Sequence, residues 1–479
     1  MNFTVQERIE QIKEKLPSED ILASEFNSDF GKKFVCFYAD GVADKIAIGE
    51  LIIKPLKTAK SDVDADGVKR MLASPDVKDG KDMQDAIKNI SDGNAVLYID
   101  GEEKFFVIGV KAPPGRAVAE PPTQVTVKGP REGFTEDIKV NLGLIRKRLK
   151  SQNLIVKTVS VGKQSETSVV ICYIEGTCAE GLPERIEKEI TNNEIDIAPD
   201  SSYIAGLISE RPHSLFKRNA TCEKPDIFCA KLSEGRVGII SDGSPIALTV
   251  PYMLTEDFQA AEDYYSVSYR ATILRIIRLT AVLIGILLPA IYVSAQLFKI
   301  QLIPVLLLFK IASSVAGIPL SPSVEIFLTL FFLEVLNEAS IRMPKYVGLA
   351  LSVVGALVLG DTAVKAGIIS TPAVIIIAFS AICLYTVPDL LETTTTLRLI
   401  FLIIAGSLGT FGIVLGVTFL ICYLVTEQDY GVPLLAPYSP VIGKDMRDAL
   451  YKSNYSNLKT RPQVLRTKNK VRYRKKDEK

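Results

Sequence analysis

Tryptophan is absent from the 479 residues, and histidine occurs once, at His213. The second scarcity excludes a His-rich metal cluster and any mechanism that needs two imidazoles. His213 itself lies in RPHSLFKR, among basic residues and without a Cys or acidic partner at motif spacing, so it reads as a loop residue. An excess of charge is missing too. The 56 Lys and Arg stand against 55 Asp and Glu, a formal +1 that gives no case for a nucleic-acid binder. The seven cysteines (Cys36, Cys172, Cys178, Cys222, Cys229, Cys383, Cys422) form no C-x-x-C pair and are odd in number. They read as reduced, buried fillers, with no zinc site or disulfide framework. No P-loop, G-x-G-x-x-G or G-x-S-x-G occurs, so neither an enzyme nor a cofactor is expected.

What is present is unevenly spread. Met1 to Arg278 carries 37 bases and 43 acids, a charge density that cannot lie in a bilayer. Leu279 to Thr426 holds six bases and six acids, and the last 53 residues carry 13 bases against six acids. The near-neutral total is therefore made of −6, 0 and +7: a soluble part, a membrane region and a basic tail.

A crossing helix needs about 20 predominantly apolar residues. Leu279 to Leu297, Pro372 to Pro388 and Leu399 to Thr426 meet or approach this, and Val347 to Leu359 runs on towards Asp361 and Lys365. Expected spans are thus 279–297, 347–366, 372–388 and 399–426, with 303–344 re-entrant or crossing twice. Arg270, Arg275 and Arg278 before the first span, and the basic tail after the last, place both ends in the cytoplasm and make the number of crossings even. The start, MNFTVQERIEQIKEKL, has no apolar signal-peptide core, so the first span directs insertion.

The soluble part divides in two. VCFYADG, AVLYIDG and FFVIGV alternate as strands, with helices over Val63 to Met71 and Asp82 to Ile90, giving a first α/β subdomain over 1–112. A Pro-rich linker follows at 113–124. A second α/β subdomain over 125–265 opens with GPREGFTEDIKVNLGLIRKRLK, where Thr135 is an N-cap and a helix over 136–150 buries Ile138, Leu142, Ile145 and Leu149. Lys139, Arg146, Lys147 and Lys150 form its outer face, read as solvated, with docking to a membrane or partner chain as the alternative. LIVKTVSVG, SVVICYIEG, RVGIISDGSP and IALTVP are strands around a helix at Pro183 to Thr191, and Asp242-Gly243 is only a turn. The remaining divisions are a helical membrane domain over 270–426 and a tail over 427–479.

Ionisable residues inside the membrane region are where function is sought, because such groups are expensive in lipid and face a bundle interior or water. Glu334, Glu338 and Arg342 are spaced four apart on one helical face, Asn337 extends it, and Glu325 precedes them. Asp361 and Lys365 form a second pair. A ring of acids from several copies of this helix would select cations; the alternative is a set of packing ion pairs that conduct nothing.

Several blocks in order give the chain a resemblance. EPPTQVTVKGPREGFTEDIKVNLGLIRKRLK, DGSPIALTVP, EDYYSVSYRATILRIIR and VEIFLTLFFLEVLNEASIRMPKYVGLALSVVGALVLGDTAVKAGIIS resemble the A subunit of the GerA-family spore germinant receptors. Gly129, Pro130, Arg131, Gly133, Phe134 and Pro344 are the structural positions of those motifs. This chain departs from the family at Val315-Ala316, where an Arg-Glu pair is common, and at Leu330 and Asn337. The resemblance implies a multi-pass protein of the spore inner membrane with a transporter-like B subunit and a lipoprotein C subunit as partners. It also implies a homo-oligomer that conducts ions when nutrient binds; Glu325, Glu334, Glu338 and Arg342 are then the candidates for the path or its gating. Alternatives are an A-like paralogue accompanying the dipicolinate release machinery, or a self-contained transporter.

Overall fold

The computed structural model describes residues 4–59, 64–111, 120–121, 123–124, 126, 128–211, 213–344, 347–348, 353–355 and 357–474. Most of the Pro-rich linker and part of the expected span 347–366 lie outside them.

The first unit is one antiparallel sheet between two helical layers. Its strands β1 (Ile21–Asn27), β2 (Lys33–Ala39), β3 (Val77–Asp79), β4 (Ala95–Ile99) and β5 (Phe105–Ile108) take the order β1-β2-β4-β5-β3. Helices α1 (Val5–Lys15) and α3 (Met83–Ser91) bury Ile12, Ile87 and Ile90 against Val35 and Val96 on one face. On the other, the helical run from Lys45 to Lys57 and α2 (Ala65–Met71) cover Cys36 and Leu97. Alternation puts successive side chains on opposite faces, so a strand covered on both sides is apolar throughout, as β4 is.

The second unit repeats this plan. Helix α4 (Ile138–Arg148) precedes β6 (Leu154–Val161) and β7 (Thr167–Ile174); α5 (Leu182–Thr191), α6 (Ser201–Leu207), β8 (Ala220–Cys222), α7 (Pro225–Glu234), β9 (Val237–Ser241) and β10 (Ala247–Val250) follow. The sheet order is β6-β7-β9-β10-β8, the same path as in the first unit. Registers agree as well: Ala95 pairs with Ile108, and Val237 with Val250, each 142 residues on (237 − 95, 250 − 108). β2, β4, β7 and β9 all lead into an acid and a glycine of positive φ: Asp40-Gly41, Asp100-Gly101, Glu175-Gly176 and Asp242-Gly243. Asp100 and Asp242 are more than turn residues. Each carboxylate accepts the first N–H of its unit's leading helix, from Val5 at 2.9 Å and from Ile138 at 3.2 Å, satisfying an orphan donor.

The join between the units corrects the reading of α4. Its N-cap is Asp137, which accepts the Lys139 N–H, and not Thr135. Arg146, read as solvated, is buried with its side chain 1% exposed, where it donates to both oxygens of Asp20 (3% exposed) at 2.6 and 2.7 Å and to Ser18 Oγ at 3.0 Å. It sits four residues after Leu142, on the apolar stripe, and its charge is carried there only because Asp20 meets it. The Ser18-Glu19 loop also bonds the free edge of β6 at Val156 and Thr158.

Beyond the sheets the chain is helical, with α8 (Ser268–Leu297), α9 (Val305–Val315), α10 (Pro322–Arg342), α11 (Thr371–Leu384) and α12 (Leu391–Thr426). Among the described residues, Ser268–Leu297 and Pro388–Thr426 are long and apolar enough to cross a membrane. The expected span 372–388 is a helix of 14 residues, about 21 Å, that stops at Leu384. The expected single crossing at 399–426 is corrected more strongly. Thr393 Oγ donates to the Leu215 carbonyl at 3.0 Å, and the Leu215 N–H donates to Tyr423 Oη at 3.2 Å. Those side chains are 30 residues apart (423 − 393), about 45 Å along a straight helix. α12 must therefore fold back, and it does so at Gly409, whose φ of +62° and ψ of −146° suit glycine alone. A Cβ there would strike the Phe298 ring at 2.7 Å, while Gly416 of the returning half approaches the Phe401 ring.

The described part of the basic tail, 427–474, is folded against the rest of the chain. Arg218 and Arg211 bind Glu427, the Tyr252 N–H donates to Asp429 at 2.9 Å, and Arg461 Nε donates to the Ser233 carbonyl at 2.7 Å. Arg275 and Arg278, read from sequence as orienting charges before the first span, both bind Asp263, and Arg275 continues to Asp448 of the tail.

Candidate functional site

The polar groups of the helical region converge on α10. Glu334 accepts from Arg398 Nη2 of α12 at 2.6 Å, Arg398 Nη1 donates to Ser380 Oγ of α11 at 3.3 Å, and Ser380 donates to the Gly285 carbonyl of α8 at 2.6 Å. Four helices thus share one relay. Arg398 is almost wholly buried, so its charge is held by Glu334 in a medium where an isolated charge would be very costly. The relay forms one wall of a cavity of about 290 Å³, lined also by Asn337, Glu338, Tyr385 and Thr395. Arg398 was missed by sequence reasoning, although a lone base in the long apolar run after Glu392 is itself a signal that an acid faces it.

Glu334 and Glu338 share this cavity, and Glu338 accepts from Arg342 Nε at 2.6 Å. That pair is open, with side chains 60% and 77% exposed. Asp361 and Lys365 bind each other at 2.6 Å and are likewise exposed, without reaching the cavity. Glu325 is not brought to the group. Nine residues from Glu334, it points about 180° away around the helix. It is 0% exposed and accepts the N–H of Ser370, the N-cap of α11, where a carboxylate complements the helix dipole. Of the positions where the chain departs from the motif, Leu330 is buried, Asn337 lines the cavity, and Val315-Ala316 closes α9.

The soluble motif residues build the second unit. Gly129, at φ +121°, lies so close to the Tyr265 ring that any Cβ would strike it at 2.7 Å. The Pro130 carbonyl accepts from the buried Lys224 Nζ at 2.7 Å. Gly133 is buried, Phe134 packs edge-on to Phe228, and Arg131 makes an exposed pair with Glu120. Pro344 ends α10 at the surface, its carbonyl accepting from Val347 and Gly348. His213 is exposed in a turn. Six of the cysteines are buried and Cys422 is exposed, none of them in a disulfide, and burial pushes the Cys36 thiol up to about 12.

Residues 7–464 match the family described as Bacillus/Clostridium GerA spore germination protein. Spore germination protein KA of Bacillus subtilis is 33% identical over 441 residues, covering 91% of this chain and 81% of that protein. Stage V sporulation protein AF of the same organism is 29% identical over 450 residues, covering 92% of this chain and 90% of that protein. The crystal structure of the N-terminal domain of the A subunit of the Bacillus megaterium spore germinant receptor GerK3 aligns with 53% of this chain and 98% of its own, at 23% identity and a TM-score of 0.40. The chain belongs to the GerA family of spore germination proteins.

Proposed function

We propose that this chain is the A subunit of a spore germinant receptor, a multi-pass protein of the spore inner membrane that oligomerises around an ion-conducting path. The B and C subunits are its partners, and both ends lie on the cytoplasmic side. The observation that carries this reading is the open Glu338–Arg342 pair on α10. It stands on a helix that also exposes Phe331, Val335 and Ile341, in a region of apolar helices, where a charged surface is not stable against lipid. Water in a lumen, or a second copy, must cover it.

Ser268 at the start of α8 bonds Asn454 of the tail at 2.7 Å, and Tyr423 near the end of α12 bonds Leu215 of the second unit, so both ends of the helical region lie at the soluble units, which supports an even number of crossings. Glu334 and Glu338 border the path in this reading, and Arg398 fixes Glu334 and offsets its charge. Glu325 leaves the list of path residues and becomes a staple between α10 and α11. The test is cation efflux from proteoliposomes holding the receptor. Glu338→Gln is expected to lower nutrient-triggered K⁺ efflux several-fold, while Glu392→Gln, on the exposed start of α12, leaves it unchanged. Equal efflux from both variants would reject the path and leave a packing role.

A further inference from the structure

Among the described residues of the helical region, five buried side-chain atoms have no hydrogen-bond partner, and four of them gather at one place: Tyr292 Oη, Gln296 Oε1 and Nε2, and Glu325 Oε2. The fifth, Arg398 Nε, belongs to the relay already described. Tyr292 and Gln296 stand one turn apart on α8, so they share a face; Glu325 lies in the first turn of α10, and Ser370 caps α11 beside it. Ser370 and Gln296 are the polar neighbours of Tyr292 Oη, and Glu325 lies within electrostatic reach of it. Everything else around the group is apolar: Val293, Ile326, Leu330, Ile369 and Ala373 belong to one buried cluster with Tyr292.

The charge is harder to account for than the hydrogen bonds. Glu325 is 0% exposed and has no salt bridge among the described residues. The end of α11 acts on Oε1, which accepts the Ser370 N–H, and offsets part of the charge, but Oε2 receives no donor and no base. A water would satisfy the lone pairs and leave the charge as it is. A cation does both. Carboxylate, amide carbonyl and hydroxyl oxygens are hard ligands of the kind that alkali and alkaline-earth ions take. A single carboxylate matches a single positive charge, whereas a divalent ion would leave an excess of charge in the apolar cluster. Ser370 Oγ, which accepts the Ala373 N–H at 3.3 Å, keeps a second lone pair for the same occupant.

We propose that Glu325 Oε2, Tyr292 Oη and Gln296 Oε1 hold a monovalent metal cation, Na⁺ or K⁺, that ties α8 to the starts of α10 and α11. The ion is structural. It sits on the side of α10 opposite Glu334, fixing the first turn of the helix whose later turns carry the proposed path, and its failure would leave that path standing.

The full chain in detergent micelles is unfolded by heat in NaCl, in KCl and in N-methyl-D-glucamine chloride at matched ionic strength. The midpoint is expected to rise with the logarithm of Na⁺ or K⁺ concentration above the dissociation constant, and not with N-methyl-D-glucamine, which is too large to enter. Glu325→Gln abolishes the rise, Tyr292→Phe weakens the apparent affinity at least tenfold, and Glu392→Gln leaves it unchanged. Gln296→Leu, which keeps Glu325 on Ser370, carries the same comparison should Glu325→Gln fail to fold. Equal midpoints in all three salts would give the position to a water or a proton, and an undiminished alkali response after the Glu325, Tyr292 or Gln296 substitutions would move the ion elsewhere; either result overturns the site.

Discussion

The two α/β units share a sheet order, a register and a capping aspartate, yet among the described residues it is the second that is wired to the tail and to the segment before α8. Around the first unit the polar contacts are mostly exposed pairs, such as Lys54–Glu50 and Lys69–Asp79. Around the second, Arg218, Arg236 and Lys224 are buried and reach the tail, the segment before α8, or the motif loop. The frame is common to both, and coupling has been added on loops and edges, where a change does not disturb the apolar layers.

The join between the units is built from residues that the matching positions elsewhere in the two units lack. Gly41 of the first unit approaches α4 so closely that a Cβ on Gly143 would lie 2.3 Å from the Gly41 carbonyl. The position matching Gly143 in α1 is Glu10, and those matching Arg146 and Asp20 are Lys13 and Asn153. A third unit, or another copy, cannot use the same join.

The largest expected effect breaks the comparison at that join. Arg146→Met leaves Asp20 buried without its partner and is expected to cost about 3–5 kcal/mol in denaturant unfolding. Lys13→Met, at the matching exposed site, should stay within about 0.5 kcal/mol. Equal effects would mean that the two helices are not used differently. Next comes Arg218→Met, which leaves Glu427 with Arg211 alone. A loss of about 1–3 kcal/mol is expected, read as faster proteolysis of the tail with the first unit unaffected.

Asp429, in the tail where it meets Tyr252, gives a pH signature on the second unit's side of the comparison. It is fully buried, and burial pushes it up to about 7 from the usual 3.8, with Arg218 acting the other way. A carboxyl with a raised folded pKa binds more protons folded than unfolded between those values. Its contribution therefore favours folding at low pH and is lost as pH rises through about 7. Asp429→Asn should flatten that part of the stability profile, and an unchanged slope would show that Asp429 does not titrate there. The smallest effect sharpens the likeness instead. Asp100→Ala and Asp242→Ala should each cost about 1 kcal/mol, by similar amounts, because each removes the same cap.

Much of the frame was legible in the sequence. Alternation located β2, β4, β5, β6, β7, β9 and β10, and Ile138, Leu142 and Ile145 are buried as their spacing predicts. The repeat of the two units was not read from the sequence, where Asp242-Gly243 passed as only a turn; the shared sheet order reveals it. Illegible were the pairings set by distant chain. Arg146 looks like any basic residue until Asp20, 126 residues away, is placed beside it. Gly409 sits in an apolar run that reads as one span, because the sequence does not show that both ends of α12 return to Leu215. Of the site, the Glu334–Glu338–Arg342 face was readable from spacing, while Arg398 and the removal of Glu325 required the helices to be packed.

The central claim is that the polar face of α10 borders the path. The most direct measurement is the reversal potential of the reconstituted receptor under a KCl gradient with Glu338→Lys. A shift from cation towards anion selectivity is predicted, and an unchanged reversal potential with undiminished conductance would contradict it.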